Sequence, residues 1–203
     1  NSSNSEKKHG ETKLTLKGRD TVYLDLYTSY DEEGFTAIDS VDGNLHSKVK
    51  ITHNIDNKTP GTYYIVYSVK NSAGITTTIK RTVVVMKVDM TLSLSNYEYT
   101  NQSVGIKVDV SDEYFDYLLL PNGEKIEDKE YTYSIEENGI YKFVLYNKKG
   151  FNIEKEIEIN NIDKEKPSGT CTGVIQNGKT IININGKDNV KVKEYILGKN
   201  KYT

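Results

Sequence analysis

Twice in this sequence a Gly-x-Tyr entry opens an alternating apolar run, a short Asn/Gly turn follows, and a second alternating run returns. The first copy runs from Gly61 and Tyr63 through Ile65, Tyr67 and Val69 to Asn71-Ser72-Ala73-Gly74, then back through Ile79, Val83 and Val85. The second runs from Gly139 and Tyr141 through Phe143 and Leu145 to Asn147-Lys148-Lys149-Gly150, then back through Ile153, Ile157 and Ile159. Successive side chains of a strand point to opposite faces, so this period reads as a hairpin with one face buried and one in water. A chain built around two such hairpins is expected to be all-β.

The two entry glycines stand 78 positions apart in a chain of 203 residues, which suits separate small units better than one large core. Hydrophobic content of 35% fits thin sandwiches, where much of each strand faces solvent. The 16 tyrosines, with no tryptophan, suit half-buried strands that keep the hydroxyl wet. Basic and acidic residues number 27 and 29 and are interspersed, so no basic face points to nucleic acid. Cys171 is the single cysteine and has no internal disulfide partner. No apolar run approaches a membrane span.

Along the chain, the polar start Asn1 to Gly10 reads as flexible, and short strands are expected around Leu14 and Leu16 and around Val22, Leu24 and Leu26. Turn formers fill Asp39 to Leu45, Val49 and Ile51 mark a strand continued by His53, and Pro60-Gly61 forces a corner before the first hairpin. Tyr63 and Tyr141, each two residues after a glycine, are candidates for the tyrosine corner of β-sandwiches. Strands are also expected around Leu92 and Leu94, from Val104 to Val110, from Tyr117 to Leu120, and around Tyr131, Tyr133 and Ile135. The charged run from Asn161 to Pro167 marks a boundary. Beyond it, Cys171 and Val174, Ile182 and Ile184, and Val190 to Leu197 suggest about three strands.

The segment Tyr30 to Leu45, with Val49, Pro60 to Tyr67, Asn71-Ser-Ala-Gly74 and Arg81 to Val85, resembles the bacterial Ig-like domain family known as DUF5011, close to the HYR-like modules. The resemblance covers about residues 12 to 87 and departs from the family at Asn71, often Asp, and at Ile75, often Asn. It implies an Ig-like sandwich, commonly in tandem in surface and secreted proteins of Gram-positive bacteria, with no catalytic residues to carry over. Residues 88 to 162 are similar to another bacterial Ig-like repeat through Tyr99-Thr100-Asn101 and Asn138 to Tyr141. The expected organisation is a flexible segment 1–11, Ig-like domains 12–87 and 88–162, and a partial third Ig-like domain 163–203. The third is expected to be a truncated sandwich whose remaining strands follow Thr203.

Nucleophilic catalysis needs a base beside the nucleophile and an orienting group. His9, His46 and His53 stand in no such pattern, and the sequence has neither a Gly-x-Ser-x-Gly elbow nor a zinc-protease helix motif. Carboxylate runs at Asp31-Glu32-Glu33 and Glu136-Glu137 read as solvated loop charges rather than a glycosidase pair. Asp39, Asp42 and Asn44, with Asp31 nearby, are the sharpest calcium candidates, but lack EF-hand spacing and fit a turn better. Cys171 reads as a small strand residue, and no Lys-Asn crosslinking motif is recognisable.

The expectation is therefore a non-enzymatic stalk or adhesion region of an extracellular or cell-surface protein. It carries no catalytic residue, no metal and no cofactor. Its partner would be a host or cell-surface protein or a glycan, with the chain monomeric. The competing reading is a carbohydrate-binding accessory module using exposed Tyr97, Tyr99 or Tyr131.

Overall fold

The structure is a computed structural model that describes residues 10–192 and 194–202. Most of the expected flexible segment 1–11, including His9, lies outside the described residues.

Eighteen strands follow one another among the described residues: β1 (Thr12–Leu16), β2 (Thr21–Asp25), β3 (Phe35–Asp39), β4 (Gly43–Asn44), β5 (Lys50–His53), β6 (Gly61–Lys70), β7 (Thr76–Met86), β8 (Met90–Leu94), β9 (Val104–Val110), β10 (Phe115–Leu119), β11 (Lys125–Ile126), β12 (Glu130–Ile135), β13 (Gly139–Asn147), β14 (Asn152–Ile159), β15 (Ser168–Gln176), β16 (Lys179–Lys187), β17 (Tyr195–Leu197) and β18 (Asn200–Tyr202). One short 3-10 turn, His46–Lys48, interrupts them. The fold is all-β, and among the described residues no helix is long and apolar enough to cross a membrane.

The repeated hairpins are β6–β7 and β13–β14. In the first, ten residues pair in unbroken antiparallel register from Gly61↔Val85 to Lys70↔Thr76. Ile65, Tyr67 and Val69 face inward and are buried. Each buried aliphatic side chain of this kind stabilises by roughly 1.5–3 kcal/mol. Both turns close in the same way. The Asn71 side-chain oxygen accepts Ile75 N–H at 2.9 Å, and Gly74 closes the turn at φ 85°. The Asn147 oxygen likewise accepts Phe151 N–H, at 3.4 Å, and also Lys149 N–H at 2.7 Å, with Gly150 at φ 87°. Glycine takes this left-handed geometry without a Cβ clash.

Sheet order is β1-β3-β4 and β2-β7-β6-β5 for the earlier strands, with β2 parallel to β7. Side chains from both sheets, among them Leu14, Leu24, Phe35, Ile65, Tyr67 and Val83, form a single buried cluster. The later strands give sheets ordered β12-β9-β8 and β11-β10-β13-β14, then the separate hairpins β15-β16 and β17-β18.

The chain divides into two compact units. The first holds the chain to Met90 together with Val110–Lys129 and Val144–Glu154. Besides the cluster above, it buries Phe115, Leu118, Leu120 and Leu145. The second holds Thr91–Asp109, Glu130–Phe143 and the chain from Lys155. It buries Val104, Ile106, Val108, Ile135, Phe143 and Ile159.

Beyond Pro167 the structure differs from the expected three strands or so. Val190 and Val192 lie outside any strand, and four strands, two of nine residues and two of three, form two separate ribbons. Asn177 at φ 52° and Gly178 at φ 71° supply the two left-handed residues that a tight hairpin turn requires. The apolar residues of the first ribbon stay exposed, Ile175 at 82%.

Candidate functional site

The calcium candidates are brought together, but as a turn. Asp39 is buried, and its two carboxylate oxygens accept four hydrogen bonds. Donors are Thr12 Oγ1 at 2.6 Å, Asn71 Nδ2 at 3.2 Å, Val41 N at 2.8 Å and Asp42 N at 2.9 Å. Asp42 accepts Ser72 N and Ser72 Oγ, each at 2.6 Å. Asn44 Oδ1 accepts His46 N at 2.9 Å. The Thr12 hydroxyl and the two main-chain amides hold Asp39 well below the usual carboxylate range. The oxygens that would bind a cation are occupied by the protein's own donors, and Asp31 makes none of these bonds. Among the described residues no group of three or more His, Cys, Asp or Glu is arranged to hold a metal ion.

The acidic run at 31–33 is not simply solvated. Arg81 is completely buried, with Nη1 3.3 Å from Glu33 and Nη2 3.7 Å from Glu32. Its Nη2 also donates to Lys17 O at 2.7 Å and Gly34 O at 3.0 Å. Glu32 in turn accepts the Tyr67 hydroxyl at 2.5 Å and the Tyr30 hydroxyl at 3.2 Å. Burial, then the hydrogen bond to Glu32, pushes the Tyr67 phenol far up from its ordinary value. The sequence does not reveal this network, because two glutamates in a polar loop look the same whether or not an arginine lies beneath them. The buried side of β7 at position 81, where the run of apolar residues has a cation, was the available signal.

Both tyrosine corners are present. Tyr63 Oη donates to Thr59 O at 2.8 Å, and Tyr141 Oη donates to Glu137 O at 2.7 Å. Each ties the entry of a hairpin strand to the connection four residues earlier. His46 stacks on Phe35 with ring centroids 4.4 Å apart, and His53 is exposed on β5. Glu136 is exposed and pairs with Lys164 at 3.4 Å. Cys171 is free and exposed on β15. It borders an open hollow of about 600 Å³ whose lining includes Ile184, Lys191, Glu194 and Tyr195.

Two further arrangements were not legible in the sequence. In the first unit the Lys149 ammonium lies 4.3 Å from the Tyr23 ring and 4.9 Å from the Tyr114 ring, and those rings meet edge-on at 5.5 Å. In the second unit Asn161, buried, donates its amide to both Asn96 O and Glu98 O at 3.0 Å. That holds the β8–β9 connection, which presents Tyr97 and Tyr99 to solvent, whereas Tyr131 on β12 is half-buried.

The sheets β1-β3-β4 and β2-β7-β6-β5, sharing one buried cluster, have the arrangement of a β-sandwich. Residues 14–85 match the family described as "Bacterial surface protein, Ig-like domain". No curated protein matches the chain. Among solved structures, one containing CBM51-2 in complex with GlcNAc and INT domains from Clostridium perfringens ZmpB is 20% identical with a TM-score of 0.32. That match covers 66% of this chain, which spans 29% of the other. A lipoprotein from Bacteroides thetaiotaomicron is 16% identical at a TM-score of 0.35, covering 88% of this chain and 100% of its own. Fibronectin(III)-like modules of Clostridium thermocellum CbhA are 14% identical at 0.27, covering 76% and 95%. Likenesses this distant carry no argument about ligand or partner.

Proposed function

We propose that the chain is a non-catalytic, tandem Ig-like stalk and adhesion region of an extracellular or cell-surface bacterial protein. The domains are 12–87 and 88–162, with 163–203 as a further segment. The observation that supports this most is the match of residues 14–85 to the Ig-like domain of bacterial surface proteins. The buried charged groups there, Asp39 and Arg81, bind the molecule's own turns and main chain, which favours a mechanical role over a chemical one. Each Gly-x-Tyr hairpin, tied by its tyrosine corner and its buried turn asparagine, serves as the stiff element of one domain. Contacts with a partner then fall to loops and strand edges. The location is tested by antibody labelling of intact cells of the source organism. Labelling without permeabilisation is expected, and labelling only after permeabilisation would overturn the assignment.

A further inference from the structure

We infer that the β8–β9 connection, residues 95–103, is a binding site for a neutral glycan, with Tyr97 and Tyr99 as stacking platforms. This rests on the surface-adhesion reading above and gives it a site and a ligand class.

The loop has no regular secondary structure yet is tied down at nearly every residue. Ser95 N donates to Gly105 O at 2.8 Å, and Ser95 Oγ accepts Gly105 N at 2.8 Å. Asn96 Oδ1 accepts Glu98 N at 3.0 Å while its amide donates to Glu98 O at 2.9 Å. The buried Asn161 amide holds Asn96 O and Glu98 O from below. Thr100 N donates to Asn161 O at 2.9 Å, and Asp163 N donates to Thr100 O at 2.8 Å.

On this fixed backbone Tyr97 is 70% exposed and Tyr99 is 62% exposed. On the strands Tyr63, Tyr133 and Tyr141 are half-buried, and the exposed strand tyrosines Tyr64 and Tyr202, at 38% and 48%, are less open than Tyr97 and Tyr99. Tyr97 is also oriented, because its hydroxyl accepts Leu94 N–H at 3.1 Å. Neither ring is buried, and apart from the bond of the Tyr97 hydroxyl to Leu94 N–H the loop's hydrogen bonds given above use no tyrosine side chain. A ring already held in place, as Tyr97 is, loses little freedom when a ligand covers it.

The chemistry of the surroundings selects the ligand class. Asn101, Gln102 and Ser103, which follow the two tyrosines in the same connection, are exposed; Gln102 Nε2 donates to Asn101 Oδ1 at 2.7 Å, and their remaining amide and hydroxyl groups offer donors and acceptors. A pyranose presents an apolar C–H face ringed by hydroxyls, which matches an aromatic face bordered by such groups. Glu98, exposed between the rings, repels anionic sugars. A standard protein interface takes roughly 20–30 residues a side, far more than this connection supplies, so its size suits one or two sugar rings.

The test is a printed array of neutral and sialylated oligosaccharides, probed with the intact chain and with a Tyr97→Ala/Tyr99→Ala variant. Circular dichroism melting confirms that the variant folds, and Tyr99→Ala alone serves if it does not. The expected result is binding to a subset of neutral glycans, reduced at least tenfold in the variant. Absence of glycan binding, equal binding by the folded variant, a preference for sialylated glycans, or tyrosine-dependent binding to a protein alone would each overturn the site. Surface labelling of intact cells that persists alongside a negative array would leave the stalk reading standing while removing this one.

Discussion

The Asn71 side-chain amide donates to the Asp39 carboxylate at 3.2 Å, joining the first hairpin turn to the acidic loop 32 residues earlier. The same amide lies 3.2 Å from Gly10 O and 3.4 Å from Thr12 Oγ1. In the family that this segment resembles, position 71 is often Asp. Here an Asp would put a second carboxylate against a buried one, so the amide is the side chain that this particular loop requires.

Asn71→Asp is therefore expected to lower the melting temperature at pH 7, and to lower it less near pH 4. Acid protonates the introduced carboxyl and removes the repulsion. A melting series from pH 4 to 7 checks this, with a pH-independent loss as the contrary result.

Acid stability should follow the carboxylates of the first domain. Asp39, Asp42 and Glu33 are all held below their ordinary range, by the Thr12 hydroxyl, the Ser72 hydroxyl and the Arg19 main-chain amide respectively. The unfolded chain therefore binds protons more readily than the folded one. Their contribution is complete above an unfolded value of roughly 4 and is lost as pH falls through the folded values. Urea midpoints should be level from pH 5 to 7 and decline below pH 4, and Asp39→Asn should flatten that decline.

Alkali should act through the phenols. Burial, followed by the hydrogen bond to Glu32, raises Tyr67, and burial raises Tyr30 and Tyr141. Folding keeps these protons on, so their stabilisation is intact below an unfolded value of roughly 10 and declines as pH rises beyond it. Melting between pH 8 and 11.5 should show the loss, and Tyr67→Phe should reduce its steepness while lowering stability at neutral pH.

Arg81→Ala should destabilise the first domain by about 3–5 kcal/mol, the range for removing one partner of a buried ion pair. It leaves Lys17 O and Gly34 O without the guanidinium and Glu32 without its cation, while Glu33 keeps Arg19 at 2.8 Å. Hydrogen-exchange mass spectrometry on the intact chain should place the faster exchange within residues 12–87. Equal acceleration in 110–129 and 144–154 would show that those segments, which belong to the first compact unit, share its unfolding.

Much of the fold was legible because it rests on local, repeating chemistry. Alternation around Asn71 and Asn147 predicted β6–β7 and β13–β14, and glycine two residues before tyrosine predicted both corners. The rest depends on contacts across long sequence separations. Tyr67 and Glu32 lie 35 residues apart, and Asn161 reaches back 65 residues to Asn96. No periodicity reports such pairs, so a loop glutamate read as solvated and a linker asparagine read as a boundary. After Pro167 the apolar residues at 190 and 192 kept a strand-like spacing without neighbouring strands to pair with.

The central claim is that two Gly-x-Tyr hairpins mark two separately folding Ig-like domains. Single-molecule pulling of the intact chain between handles measures this directly. Unfolding of one domain of about 75 residues releases about 20–25 nm of contour length, at ~3.5 Å per residue less the folded end-to-end distance. Two such steps per molecule are predicted, one of them at lower force in Arg81→Ala. A single step of about 50 nm or more, moved as a whole by that substitution, would contradict the account.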